Sequence, residues 1–155
     1  MNLPGRFVTW LCAALAVVCA CSSGVSAPVQ AESPELKRYD ELNVRILRAE
    51  ERALASYFRG TESDAIRDLS ALASLLKEML SLKDLAESSR MATHYDAVLT
   101  FGRLAKTYRL SNRASQEMEA VRQALEHSTQ SGRAIRGEPE LRELVDSVDR
   151  NYRLK

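Results

Sequence analysis

From residue 34 onward, apolar side chains recur every third or fourth position and charged ones fill the gaps, the period of an amphipathic helix. Ser33-Pro34-Glu35 supplies a capping serine, a proline for the first helical position and an acid for the positive end of the dipole. Leu36, Tyr39, Leu42, Ile46, Ala49, Ala53 and Tyr57 then form a stripe, widened by Leu47, Leu54 and Phe58. Lys37, Arg38, Glu41, Arg45, Arg48, Glu51 and Arg52 take the other side. Gly60 ends this helix, and Thr61 with Asp64 opens the next as an acidic capping box. A second stripe runs through Ile66, Leu69, Leu72, Ala73, Leu76, Met79 and Leu80.

The next break is less defined. Glu87-Ser88-Ser89 is the weakest helix-forming stretch, and Thr93 with Asp96 can cap a third helix carrying Tyr95, Val98, Phe101, Leu104, Ala105 and Tyr108. With no Gly or Pro between them, a single kinked helix over 62–109 is the alternative. Ser111-Asn112 reads as a turn, followed by a helix to about Thr129 on Ala114, Met118, Val121, Ala124 and Leu125. Gly132 and Gly137 bracket a basic loop, and Glu138-Pro139 opens a last helix with Leu141, Leu144, Val145, Val148 and Tyr152. No stretch after residue 32 alternates with period two for long enough to make a strand. The expected fold is all-α, with four to five helices in one domain over 34–155.

The first 33 residues have another character. One charge, Arg6, precedes an uncharged apolar run from Phe7 to Ala20 that is short for crossing ~30 Å of hydrocarbon. A charged start, a short apolar middle and a small-residue end describe a secretory signal; an anchor that is never cut is the alternative. Val18-Cys19-Ala20-Cys21 resembles the lipobox of bacterial lipoproteins, with Val18 where leucine is commoner. The resemblance implies a signal peptide over 1–20, cleavage before Cys21, and acylation of that cysteine. Several acyl chains at ~0.8 kcal/mol per buried CH₂ would hold the domain firmly to a membrane. Ser22 is not the aspartate that retains such proteins at the inner membrane, so the resemblance points to the outer membrane, facing the periplasm. Ordinary signal cleavage after Ala27 or Ala31 is the rival. Residues 21–33 are small, polar and proline-bearing, the composition of a flexible tether.

The three cysteines, Cys12, Cys19 and Cys21, all lie in this region, so the helical part cannot depend on disulfides. The formal net charge is +1, and without Arg6 the acidic and basic residues balance. That gives no electrostatic argument for nucleic acid.

Tyr57-Phe58-Arg59-Gly60 followed by Ala65, Leu69 and Leu72 resembles the turn and second helix of a tetratricopeptide repeat. Phe101, Leu104, Ala105, Tyr108, Val121, Ala124 and Leu125 meet the same family's positions a second time. Glu117 stands where the family has a small alanine, Asn112 stands near its glycine, and the turns at Gly60 and Asn112 lie 52 residues apart against a usual ~34. A degenerate array of such repeats and an antiparallel helical bundle both fit the pattern.

Candidate chemistry is sparse. Ser74-Leu75-Leu76-Lys77 resembles the Ser-x-x-Lys of penicillin-binding enzymes, without their Ser-Asp-Asn and Lys-Thr-Gly partners; Ser74 reads as a small packing residue. His94 and His127 fall on different helices, outside any Glu-x-x-His or His-x-x-x-His set, and read as exposed surface residues. Asp64/Asp68 and Asp146/Asp149 read as solvated acidic faces paired with nearby arginines. No phosphate-cradling glycine loop, Cys-x-x-Cys-His haem attachment or other cofactor motif occurs. What remains is surface. Tyrosine and arginine favour interfaces, and Arg103, Lys106, Arg109, Arg113 and Arg122, with Arg133 and Arg136 beyond, make a candidate docking patch.

Two functions follow. One is a non-enzymatic, lipid-anchored adapter or assembly factor that binds another envelope protein in a helix-in-groove or repeat-groove mode. The other is a carrier or sensor holding a small apolar ligand inside the bundle, which requires a wide internal pocket.

Overall fold

The computed structural model describes residues 34–153, and every regular element among them is an α-helix: α1 (Pro34–Arg59), α2 (Glu62–Leu80), α3 (Glu87–Leu110), α4 (Ala114–Gln130) and α5 (Glu138–Arg153). The signal, the Val18–Cys21 motif and the tether lie outside the described residues. None of the described helices is long and apolar enough to cross a membrane.

Short turns fold α1 against α2 and α3 against α4, and α2 packs on α3 to join the two hairpins. Ion pairs from Arg38 and Arg45 near the start of α1 to Glu78 near the end of α2 mark the antiparallel sense of the first hairpin. Arg109 to Glu117 marks that of the second. α5 lies across α3 and touches α4. Leu69, Leu76, Val98, Leu141 and Val145 are fully buried in the shared core, and Leu42, Met79 and Leu85 close a smaller cluster at the far end of the first hairpin. Each such Leu or Val stabilises the fold by about 1.5–3 kcal/mol of transfer free energy.

α3 is the axis of the molecule, and its burial runs around most of its circumference. It accepts polar residues at depth because their hydrogen bonds are closed locally. Thr93, Thr100 and Thr107 recur every seven residues, and their hydroxyls donate to the carbonyls of Ser89 (2.7 Å), Asp96 (2.8 Å) and Arg103 (2.9 Å), four residues back. Among the described residues no buried side-chain nitrogen or oxygen lacks a partner. Gly102 lets α5 approach the axis closely. A Cβ there would stand 2.5 Å from Val145 Cγ2 and 3.3 Å from Leu141 Cδ1.

The caps explain the boundaries. The Thr61 hydroxyl accepts the Asp64 N–H at 3.2 Å, the expected start of α2. The third helix, however, begins at Glu87 rather than near Thr93, and the break falls at residues 81–86. Glu87 favours the first turn of α3 by its charge, and Thr93 turns its hydroxyl back onto its own helix instead of capping. Arg90 secures this junction, donating to the Leu80 and Leu82 carbonyls at 2.9 and 3.0 Å, acceptors that the end of α2 leaves open. After α3, Asn112 takes the left-handed conformation (φ 57°). Its N–H reaches the Arg109 carbonyl at 3.1 Å and the Arg113 N–H reaches that of Tyr108 at 2.9 Å, a Schellman motif in which asparagine does the work usual for glycine.

Candidate functional site

Of the five candidate docking residues, one lies inside the fold. Arg103 is 5 % exposed, and its Nε donates to Asp149 Oδ1 at 3.1 Å. This corrects its reading as a docking residue. It faces inward because α3 is buried on the side where α5 lands, and a buried guanidinium must find a carboxylate. Asp149, only 4 % exposed, corrects the matching view of Asp146/Asp149 as a solvated face. Asp149 also accepts the Tyr57 hydroxyl at 2.7 Å; burial, and then this bond, push the Tyr57 phenol well above its ordinary range. Lys106 bridges Asp146 (2.7 Å) and Asp149 (3.6 Å), and the Lys106 bond holds the Asp146 carboxyl below its usual range. Arg103 stands over the Tyr57 ring at 5.8 Å, and Tyr152 of α5 stacks on Phe58 of α1 at 5.1 Å. This cluster bolts α5 to α1 and α3.

Arg109 pairs with Glu117 at 4.0 Å, and Arg122 pairs with Glu119 (2.5 Å) and with Glu126. Arg113 is exposed at the start of α4. Carboxylates of the same chain thus answer most of the charge that sequence alone assigned to a partner. The acidic residues Asp64 and Asp68 do pair with Arg67 (2.8 and 2.9 Å) on the surface, as expected.

The histidines also differ from expectation. His94 is 6 % exposed and His127 half-buried, and their Nδ1 atoms lie 2.8 Å apart across the α3–α4 interface. The antiparallel hairpin brings together residues that are 33 positions apart in the chain. The Phe101 ring stacks nearly parallel on His127, at 5.7 Å and 6°.

On the outer side of that Phe101, three helices converge on an open groove of about 370 Å³. α2 supplies Ser70, Ala73, Ser74 and Lys77, α3 supplies Phe101, Leu104 and Tyr108, and α4 supplies Ser115, Gln116, Glu119, Ala120 and Gln123. Each set repeats at helical spacing, so each helix offers one row. The α3 row makes an apolar floor with Ala73 and Ala120 beside it, and the outer members of the flanking rows are small or polar. Small side chains on both walls let a guest backbone come close to the floor. Ser74 is exposed on one wall, correcting its reading as a packing residue, and its hydroxyl donates to the Ser70 carbonyl at 3.0 Å rather than to Lys77. A broader depression along Arg122, Leu125, Glu126, Thr129 and Gln130 has walls from α4 alone and so no comparable depth.

Spacing alone does not single out Ser70, Ser115, Gln116 and Gln123. They become a site only because α2 and α4 flank α3 on the same side. Among the described residues no group of three or more His, Cys, Asp or Glu is placed to hold a metal ion. Comparison with known proteins finds no family model, no curated protein and no solved structure that matches this chain.

Proposed function

We propose that this protein is a lipid-anchored helical adapter of the bacterial cell envelope, held to the membrane through Cys21 and receiving a helix of another envelope protein in the α2–α3–α4 groove. The anchor rests on the Val18–Cys21 lipobox and the tether behind it. The observation that carries the binding role is the groove itself, apolar at its floor, with mostly small and polar residues on its walls, and open to solvent. Its action is assembly or positioning of the partner rather than chemical turnover.

The carrier reading needs an internal chamber. Two narrow clefts beside the core, one among α3, α4 and α5 and one around Asp96, hold about 10 and 20 Å³, the room of a single water. The test is isolation of the bound partner from membranes with the intact chain, repeated with Ser74→Trp and Gln116→Trp. Both positions are exposed on the groove walls. Both variants should lose the partner while keeping the melting temperature; undiminished capture would refute the groove as the docking site.

A further inference from the structure

The geometry points to the His94–His127 pair as a proton-operated latch that holds α4 on α3 at neutral pH and releases it in acid. The inference does not depend on the groove or on its occupant. The two Nδ1 atoms face each other at 2.8 Å, a hydrogen-bond distance that admits one proton between them. In the neutral pair one ring donates from Nδ1, the other accepts on Nδ1, and the accepting ring carries its own proton on Nε2. A first added proton goes to Nε2 of the donor ring and leaves the bond intact. A second can go only to the accepting Nδ1. Two N–H groups and two positive charges then confront each other, and the bond is lost.

The surroundings do not relieve that conflict. Burial lowers both histidines. Arg90 on α3 lowers His94 further against Glu87, while His94 itself and Lys77 on α2 lower His127 against Glu126 on α4. The sign follows from linkage. An imidazole whose folded pKa lies below its unfolded ~6.5 binds fewer protons folded than unfolded, so stability falls as pH drops below ~6.5. Withholding one proton changes the folding equilibrium about tenfold per pH unit.

Two carboxyls titrate against this trend: Glu35, exposed near the start of α1 and raised first by its hydrogen bond with Asp84, and the more strongly shifted Asp96. Asp96 is exposed at one side of the cleft between α1, α2 and α3, and its carboxyl is pushed up to about 7 by burial on the cleft side and by the Glu50 charge, against Arg103. A raised carboxyl stabilises the fold as pH falls, so Asp96 masks the latch unless it is removed.

The experiment is urea unfolding of Asp96→Asn protein at pH 7.5, 6.5, 5.5 and 5.0, with and without His94→Gln and His127→Gln together. The folding constant of the protein with both histidines should drop between pH 6 and 5, by up to about tenfold per unit, and that of the double variant should lack this drop. Equal pH slopes would overturn the latch. Because glutamines at the interface can weaken folding, imidazole ¹⁵N titration of the unsubstituted protein provides the second arm. Two separated, mutually coupled steps are expected, with the later one well below ~6.5. Two independent titrations at the ordinary value would overturn the proposal without any variant.

Discussion

Asp149→Ala is the substitution that tests the architecture most severely. Asp149 accepts from Tyr57 and Arg103 and is one of two carboxylates beside Lys106, so its removal leaves a guanidinium with 7 % side-chain exposure without its hydrogen-bonded carboxylate, with Asp96 and Glu50 lining the same cleft. Removing one partner of a buried ion pair costs about 3–5 kcal/mol, a large part of the 5–15 kcal/mol that stabilises a typical domain. With a urea slope of about 1.5 kcal/mol per molar, the midpoint should fall by about 2–3 M. The pair as a whole is a different matter. Desolvating both ions nearly cancels their attraction, so Tyr57→Phe, Arg103→Met and Asp149→Leu together should restore the midpoint to within about 1 M of the original protein. Loss of less than about 1 kcal/mol in Asp149→Ala would refute the claim that this cluster bolts α5 to the bundle. A triple variant as weak as the single one would refute the view that the unpaired charge, rather than the missing contacts, is what destabilises.

Other expectations are independent of that cluster. Gly102→Ala gains about 1 kcal/mol of helix propensity but drives a methyl into Val145, an overpacking cost of about 1–3 kcal/mol. It should melt a few degrees lower, and Val145→Ala should reverse its sign from destabilising to neutral or better. Asn112→Gly should be neutral or slightly stabilising at its left-handed position, whereas Asn112→Val should cost about 1–2 kcal/mol in thermal unfolding. Mass spectrometry of the mature protein should find Cys21 at the N-terminus carrying acyl chains, and Cys21→Ser should abolish that species and its membrane fractionation. An unlipidated chain starting at Pro28 or Glu32 would refute lipidation.

What could be read in advance follows from the range over which each feature acts. α1, α2 and α5 show one wet and one dry face, so spacing reveals them, and Gly60, Thr61 and Pro139 mark ends through local chemistry. α3 hides because it is buried nearly all round and mixes threonine, histidine and arginine into its dry faces. Its start at Glu87 depends on Arg90 reaching back to α2, which propensity does not register. The His94–His127 contact and the Arg103–Asp149 pair join positions 33 and 46 apart, and only helix register and the choice of neighbours bring them together. That is also why a basic stretch looked like a surface. The periodicity says which residues share a helix face, and α5 decides that Arg103 is inside. The groove lies beyond reach of spacing for the same reason, since three separate rows make it.

The most direct test of the account is a photo-crosslinking residue at Ser74, on the groove wall, compared with one at Glu51, exposed on α1, in native membranes. The account predicts one dominant adduct from Ser74, absent from Glu51, with the crosslink mapping to an amphipathic helix of an envelope protein and disappearing when Gln116→Trp fills the groove. Adducts of equal yield from both positions, or none from Ser74 while the protein remains functional in its membrane, would contradict it.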